Sequence, residues 1–458
     1  MSIRNMYFSI AFLLFLGFAI WAYAPSLNSF FDTQTFITFL NPLKAQTPYL
    51  QFLHDGWSWH NAQGELIGFF RPLSSTLYML EYSLFGFSPA AYKWVSFLVH
   101  LVCSWLTGAT VFTLSGKKWI AVGAAMLFAI HPGAVCAVSF IATRPDVIAT
   151  LFSILAFRSV LLLGRQQLFS YTSLLPCLFT ALSLGGKELG VANFIALPLM
   201  YILWPSGKKN KKNTVFFVCS MAILAILYFS GRFWMFGDIG GYESQPDMVS
   251  SMRGVASVVF HASGAAFVGA PLRIAVIILE TTLIASFLIQ RKTQGLREFL
   301  VAILVTGIYS FQSVLSFPEP HYVYSSAAFT TLFMVYFFSS LRLKINKWVL
   351  PSALFLVLMI SGLAVRRASV DFHEITVKHE RVYRSLERIV AILEEINPET
   401  CLVYLSRGSE ESAEMKNVPL FMKYLYEGQC NFVVTDDSSF GNGIPVLVWN
   451  GEGIDIVR

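Results

Sequence analysis

Several side chains in this sequence carry chemistry that an apolar helix does not need. Asp32 follows the first apolar run, and Arg71 lies in the long segment after it. His131, Arg144 and Asp146 flank one turn between later apolar runs. Lys187 and Glu188 occupy another such turn, and His321, Tyr322 and Tyr324 open a late run. Ionisable groups at the ends of apolar spans are costly to keep there, so each is a functional candidate. A carboxylate near the interface can act as general base toward an acceptor hydroxyl. Arg, Lys and His beside it can hold a phosphate as it leaves. Apolar and aromatic spans can receive a long lipid tail. The set points to group transfer from a lipid-phosphate donor, without fixing the group moved.

Each candidate also has a plainer reading. Asp32 can be a solvated loop residue, and His131-Pro132 can mark a helix end. Lys187 and Glu188 can be an ion pair that anchors two helices. His54, Asp55 and His60 have a spacing unsuited to a metal site. No cofactor is assigned on these residues, and metal dependence stays open.

The elements that must position these residues are membrane spans. The chain has 458 residues, of which 55% are hydrophobic and only 13% charged. A soluble chain carries about 25% charged residues, and one span needs roughly 20 apolar residues. Eleven such runs are predicted, near 6–24, 92–114, 119–138, 146–164, 170–186, 189–204, 213–231, 272–290, 298–316, 322–340 and 348–365. The fold class expected is an α-helical polytopic membrane protein over 1–365, with a long first extracytoplasmic loop, 25–90, and a small soluble α/β domain over 366–458.

Basic clusters set the orientation. Arg4, Lys117-Lys118, Arg165, the run from Lys208 to Lys212, Arg291-Lys292 with Arg297, and Arg342 with Lys344 and Lys347 all fall inside if the N-terminus is inside. Arg366-Arg367 alone run against that rule. The same clusters require an even number of crossings over 213–290, so 250–271 is expected to lie along the interface or re-enter. The acids and bases named above then share the outer face with the tail. The net charge of +6 belongs to these clusters and does not indicate nucleic acid.

In the tail, 369–396 reads as an amphipathic helix on Leu386, Ile389, Leu393 and Ile396. Strands are expected over 402–405, 431–434 and 445–449, with a helix near 417–427. Cys401 and Cys430 pair only if the tail faces an oxidising compartment. The other cysteines read as small buried residues.

With these elements in place, a series of short motifs resembles the GT-C glycosyltransferase superfamily. It is similar above all to the transmembrane O-mannosyltransferase-like proteins that in animals carry tetratricopeptide repeats. The motifs are Phe70-Arg71-Pro72-Leu73, Leu84-Phe85-Gly86, Tyr92, His100, Phe128-Ala129-Ile130-His131-Pro132, Ala137-Val138, Arg144-Pro145-Asp146-Val147, Lys187-Glu188 and Tyr322-Val323-Tyr324, in that order. The resemblance implies a polyprenyl-phosphate-linked sugar as donor, catalysis at the outer face and inversion at the sugar carbon. It implies Asp32 as the catalytic base, with Arg144, Lys187 and His321 at the donor phosphate. This sequence departs from the pattern at Thr33 and Cys136, where acids are expected, and at Pro320-His321, where Glu-Arg is expected. It shows no tetratricopeptide repeats. Such departures fit a divergent acceptor, a different sugar or a lost activity.

The leading expectation is a transferase of a bacterial inner membrane acting on an envelope glycan, lipid or protein. The alternatives are a non-enzymatic scaffold or lipid-linked-sugar carrier, and a transporter. A transporter would be expected to show internal repeats, and none is visible.

Overall fold

A computed structural model describes residues 3–32, 69–164, 171–204, 210–237, 295–310, 323–341 and 349–396, with a few shorter pieces. The chain begins with α1, Ile3–Leu27. A two-residue ribbon, β1 (Trp59–His60) with β2 (Leu66–Ile67), lies in the first loop. That loop also holds a helix, α2, Pro72–Phe85, which starts on Pro72. Proline suits a first helical turn, because the N–H it lacks would be unpaired there anyway. Next come α3, Pro89–Ser115, and α4, Lys118–Ala129. Gly116, at φ 69°, ends α3 in the left-handed conformation that glycine adopts without strain.

At His131-Pro132 the chain breaks. A 3-10 turn, Pro132–Ala134, leads to α5, Val135–Ser139, bent by 52° from α4. Proline cannot continue the α4 hydrogen-bond ladder, so the run expected as one straight span is two pieces. Helix α6 spans Arg144–Leu163, α7 Leu175–Gly186 and α8 Asn193–Leu203. Helix α9, Lys211–Phe236, is capped by the Asn210 side chain, which accepts from the N–H groups of Lys212 and Asn213. Helix α10 covers 295–310, and α11 is Val323–Ser340.

Among the described residues, four helical stretches are long and apolar enough to cross a bilayer, Pro89–Ser115, Ile141–Leu163, Lys211–Phe236 and Val323–Ser340, and the bent α4–α5 pair makes up to five. Their packing fits a lipid surround. Helix α11 is mostly buried, whereas α9 exposes Val215, Ile223, Ile226, Leu227, Phe233 and Trp234. An apolar face of that size is unfavourable in water and ordinary in hydrocarbon. This is a multi-pass membrane protein.

The last helix, α12, runs without interruption over Val349–Ile396. The sequence predicts a span at 348–365 and a separate helix from 369. The structure joins them, because a change from apolar to charged residues does not break a helix and no proline intervenes before Pro398. After it, β3 (Val446–Trp449) pairs antiparallel with β4 (Ile454–Val457). The strand expected at 445–449 is present, and its partner at 454–457 was not foreseen. The elements expected at 402–405, 417–427 and 431–434 lie outside the described residues, as do 250–271, Cys401 and Cys430.

Helices α3 and α4 approach closely at Gly108, where an added Cβ would lie 2.5 Å from the Ala121 carbonyl oxygen and 2.9 Å from Ala125 Cβ. Small residues permit such contacts between membrane helices. Gly108→Ala is expected to destabilise the protein by about 1–3 kcal/mol through overpacking, read as a lower melting temperature in detergent.

Candidate active site

Helices α1 and α12 run side by side in the same direction. The Phe18 ring lies against Gly362, Arg366 donates to the Trp21 carbonyl, and the Phe30 and Tyr383 rings meet at 5.2 Å. Their C-terminal portions therefore share one end of the bundle. Asp32 stands at that end, just beyond α1, and is 2% exposed. One carboxylate oxygen accepts from the Thr35 N–H at 2.9 Å and the other from the Thr35 hydroxyl at 2.6 Å. The turn fixes the carboxylate's orientation, so Asp32 is a held group and not a solvated loop residue.

Lys93 lies close by, near the start of α3, fully buried. Its ammonium donates to the Ser29 hydroxyl at 2.6 Å and the Ser139 carbonyl at 3.1 Å, and lies 4.3 Å from the centre of the Phe372 ring. It forms no ion pair among the described residues, and the Asp32 charge acts on it electrostatically. One cation thus ties together the end of α1, the bent α4–α5 unit and α12.

Three buried ion pairs gather most of the remaining candidates. Arg144, at the first turn of α6, pairs with Glu81 of α2, and also donates to the Ser96 hydroxyl at 2.8 Å and the Tyr92 carbonyl at 2.7 Å. Lys187 donates to both Asp146 oxygens at 2.7 and 2.8 Å. Arg71 holds Glu188 through two nitrogens at 2.8 and 3.0 Å, with Arg232 of α9 3.9 Å from the same carboxylate. The Ser74 hydroxyl adds a 2.8 Å bond to the Gly186 carbonyl. The first-loop helix is thereby bolted to α3, α6 and α7 by charge-assisted hydrogen bonds. Lys187 and Glu188, adjacent in sequence, do not pair with each other here. Each takes a partner from a different element.

Tyr324 is more deeply placed. Its hydroxyl lies 2.7 Å from His100 Nδ1, and His100 Nε2 lies 3.1 Å from the Ala129 carbonyl. A carbonyl only accepts, so Nε2 carries the proton and Nδ1 accepts from Tyr324. Tyr324→Phe is expected to leave Nδ1 unsatisfied and lower stability by about 1–3 kcal/mol, measured by thermal unfolding. His131 is buried and uses Nδ1 to accept from the Gly133 N–H at 3.1 Å, which shapes the turn at the α4–α5 break. His321 and Tyr322 lie outside the described residues. Among the described residues no three His, Cys, Asp or Glu side chains form a metal-binding group.

No family profile matches the sequence. Two Drosophila melanogaster proteins named Protein O-mannosyl-transferase Tmtc1 and Tmtc2 are similar to it, at 30% identity over 171 residues and 28% over 159. Those stretches cover 36% and 34% of this chain, but only 19% and 17% of the relatives' own lengths. Solved structures are similar over almost all of it. Apo ArnT from Cupriavidus metallidurans aligns with a TM-score of 0.61 at 13% identity, over 96% of this chain and 92% of ArnT. ArnT bound to undecaprenyl phosphate aligns at 0.55 and 12% identity, over 95% of this chain and 92% of that one. The mycobacterial arabinofuranosyltransferase AftD aligns at 0.51 and 12% identity, over 95% of this chain and 32% of AftD.

The chain has the fold of ArnT.

Within this ArnT-like fold, the sequence motifs located most of the charged cluster but missed two members. Neither Glu81 nor Lys93 belongs to any of the short motifs in the sequence. Helical spacing held the missing signal. Glu81 shares a face of α2 with Ser74 and Tyr78, all buried, and Lys93 follows Tyr92 and precedes Ser96 on the buried side of α3.

Proposed function

We propose that this protein is a membrane glycosyltransferase that moves a sugar from a polyprenyl-phosphate-linked donor to an acceptor of the cell envelope. The observation that carries this reading is the near full-length likeness to ArnT, one of whose structures holds undecaprenyl phosphate, together with the Asp32 carboxylate held at one end of the bundle.

In this mechanism Asp32 takes the proton of an acceptor hydroxyl. The oxygen forms a bond to the sugar's anomeric carbon as the bond from that carbon to the phosphate oxygen breaks. The electron pair leaves with the polyprenyl phosphate, and a single displacement inverts the carbon. Arg71, at the edge of the cluster, supplies positive charge to the departing phosphate, with His131, Lys187, His321 and Tyr322 as further donor contacts. Arg144, Asp146, Glu188 and Tyr324 act by holding the elements in place through the partners described above. No cofactor is invoked. We place the site at the extracytoplasmic face of a bacterial inner membrane, with the N-terminus inside. The parallel course of α1 and α12 supports a shared side for Asp32 and the tail.

The test supplies purified protein in nanodiscs with labelled polyprenyl-phosphate sugars and envelope extract. Label is expected to pass to an envelope component. No transfer from any donor would favour a non-enzymatic carrier on the same fold. A reporter fused after Arg458 is expected to read extracytoplasmic, and a cytoplasmic signal would reverse the sidedness.

A further inference from the structure

A cavity of about 300 Å³ lies between the end of α1, the turn into α3 and the distal part of α12. Its wall includes Asn28, Phe30, Phe87, Tyr383 and the trio Glu380, Arg384 and Glu387. Phe30 is two residues from Asp32, and Ser29, also in the wall, accepts the Lys93 hydrogen bond. The cavity therefore opens at the same end of the bundle as Asp32, from a wall that includes neither Asp32 itself nor any residue of the Arg71–Glu188 cluster.

Its two sides have different chemistry. The floor is aromatic: Phe87 and Tyr383 stack at 5.0 Å and 16°, and Phe30 leans on Tyr383 at 5.2 Å. The rim is polar. Arg384 is held by Glu380 at 3.0 Å, with Glu387 4.0 Å away on its other side. Asn28 adds an exposed amide opposite. Carboxylates accept from hydroxyl groups, while the amide and guanidinium donate to them. The rim holds two acids to one base, and the base is already paired. That balance is wrong for a phosphate, so the donor's charged end belongs elsewhere. A ligand with an apolar C–H face and a ring of hydroxyls satisfies both sides. The volume is at the small end of ligand pockets, enough for one such ring.

We propose that this cavity binds one saccharide unit of the acceptor and presents its hydroxyl to Asp32. Calling the saccharide an acceptor rests on the glycosyltransferase reading, but its binding does not. On this view α12 contributes one wall of the acceptor site, and the acceptor is a glycan or glycolipid in preference to an unmodified polypeptide.

Saturation-transfer NMR on the full-length protein in nanodiscs tests it, with mannose, glucose, galactose, N-acetylglucosamine and arabinose as probes. At least one sugar is expected to bind saturably. Arg384→Gln combined with Glu387→Gln is expected to weaken that binding tenfold or more. These side chains are 64% and 44% exposed, so the fold should tolerate the change, and an unaltered melting temperature would verify this. Asp32→Asn should leave sugar binding in place. Where transfer is measurable, the rim variant should raise the acceptor KM and leave the donor KM alone. Binding of a sugar without transfer from any donor would keep the cavity assignment and remove the transferase reading. No saturable sugar, binding indifferent to the rim variant, or capture of a lysine-rich peptide in place of sugars would overturn the cavity assignment.

Discussion

Asp32→Asn is expected to reduce sugar transfer by about 10²–10⁴-fold, the range general-base catalysis supplies, while the protein remains folded. The geometry separates these two effects. Asparagine retains one oxygen that can accept from Thr35, so the turn after α1 loses at most part of its hydrogen bonding. The amide cannot take a proton from an acceptor hydroxyl. Donor binding should be little changed, because the basic residues assigned to the phosphate sit in a separate cluster. Turnover with labelled donor, compared with donor binding and melting temperature on the same preparation, distinguishes loss of chemistry from loss of structure. Full turnover in the variant would remove Asp32 from the mechanism.

Breaking the Arg144–Glu81 pair should give the largest loss of stability in the molecule. Glu81→Ala leaves a guanidinium that is 1% exposed without its carboxylate. Removing one partner of a buried ion pair typically costs about 3–5 kcal/mol, because the remaining charge stays desolvated. The damage should not stay local. Arg144 also holds Tyr92 and Ser96, and Glu81 gives α2 its ion pair to this network. Thermal unfolding of Glu81→Ala should show the loss, and Glu81→Leu with Arg144→Met should recover much of it by removing both charges. The recovery will be incomplete, since the Tyr92 carbonyl and Ser96 hydroxyl lose a donor. A double variant as unstable as the single would show that packing, not the uncompensated charge, dominates.

What the sequence disclosed follows from the range over which its signals act. Apolar runs and basic clusters report on a residue's own neighbourhood, so the membrane class and many helix positions were legible. The His131-Pro132 dipeptide was visible as punctuation, but not the 52° bend it produces. Arg144 and Asp146, Lys187 and Glu188, and Arg71 were found as short motifs. Their pairing was not, because Arg71 meets Glu188 across 117 residues and Arg144 meets Glu81 across 63. Charge alone favoured the neighbours Lys187 and Glu188 as partners. The break in the last helix was read from a change in composition, whereas helix continuity depends on backbone hydrogen bonding, which charged side chains leave intact. Lys93 shows the same limit. A lysine in an aromatic stretch reads as an interfacial anchor until the elements that enclose it are assembled.

Helix α12 also works as a ruler. At about 1.5 Å per residue, its 48 residues reach about 72 Å, more than twice the ~30 Å hydrocarbon core of a bilayer. Even tilted by about 40°, the upper end for membrane helices, a rod of that length spans about 55 Å and projects beyond the lipid. A rigid rod conveys angle as well as height, since each inserted residue turns everything beyond it by about 100°. Three or four extra residues near Ser369 would return Glu380, Arg384 and Glu387 to nearly the same heading but lift them by about one helical pitch, some 5 Å. Two extra residues would swing them to the far side. The phase of this rod, set deep in the bundle where Gly362 meets Phe18, fixes which way Glu380, Arg384 and Glu387 face several turns away.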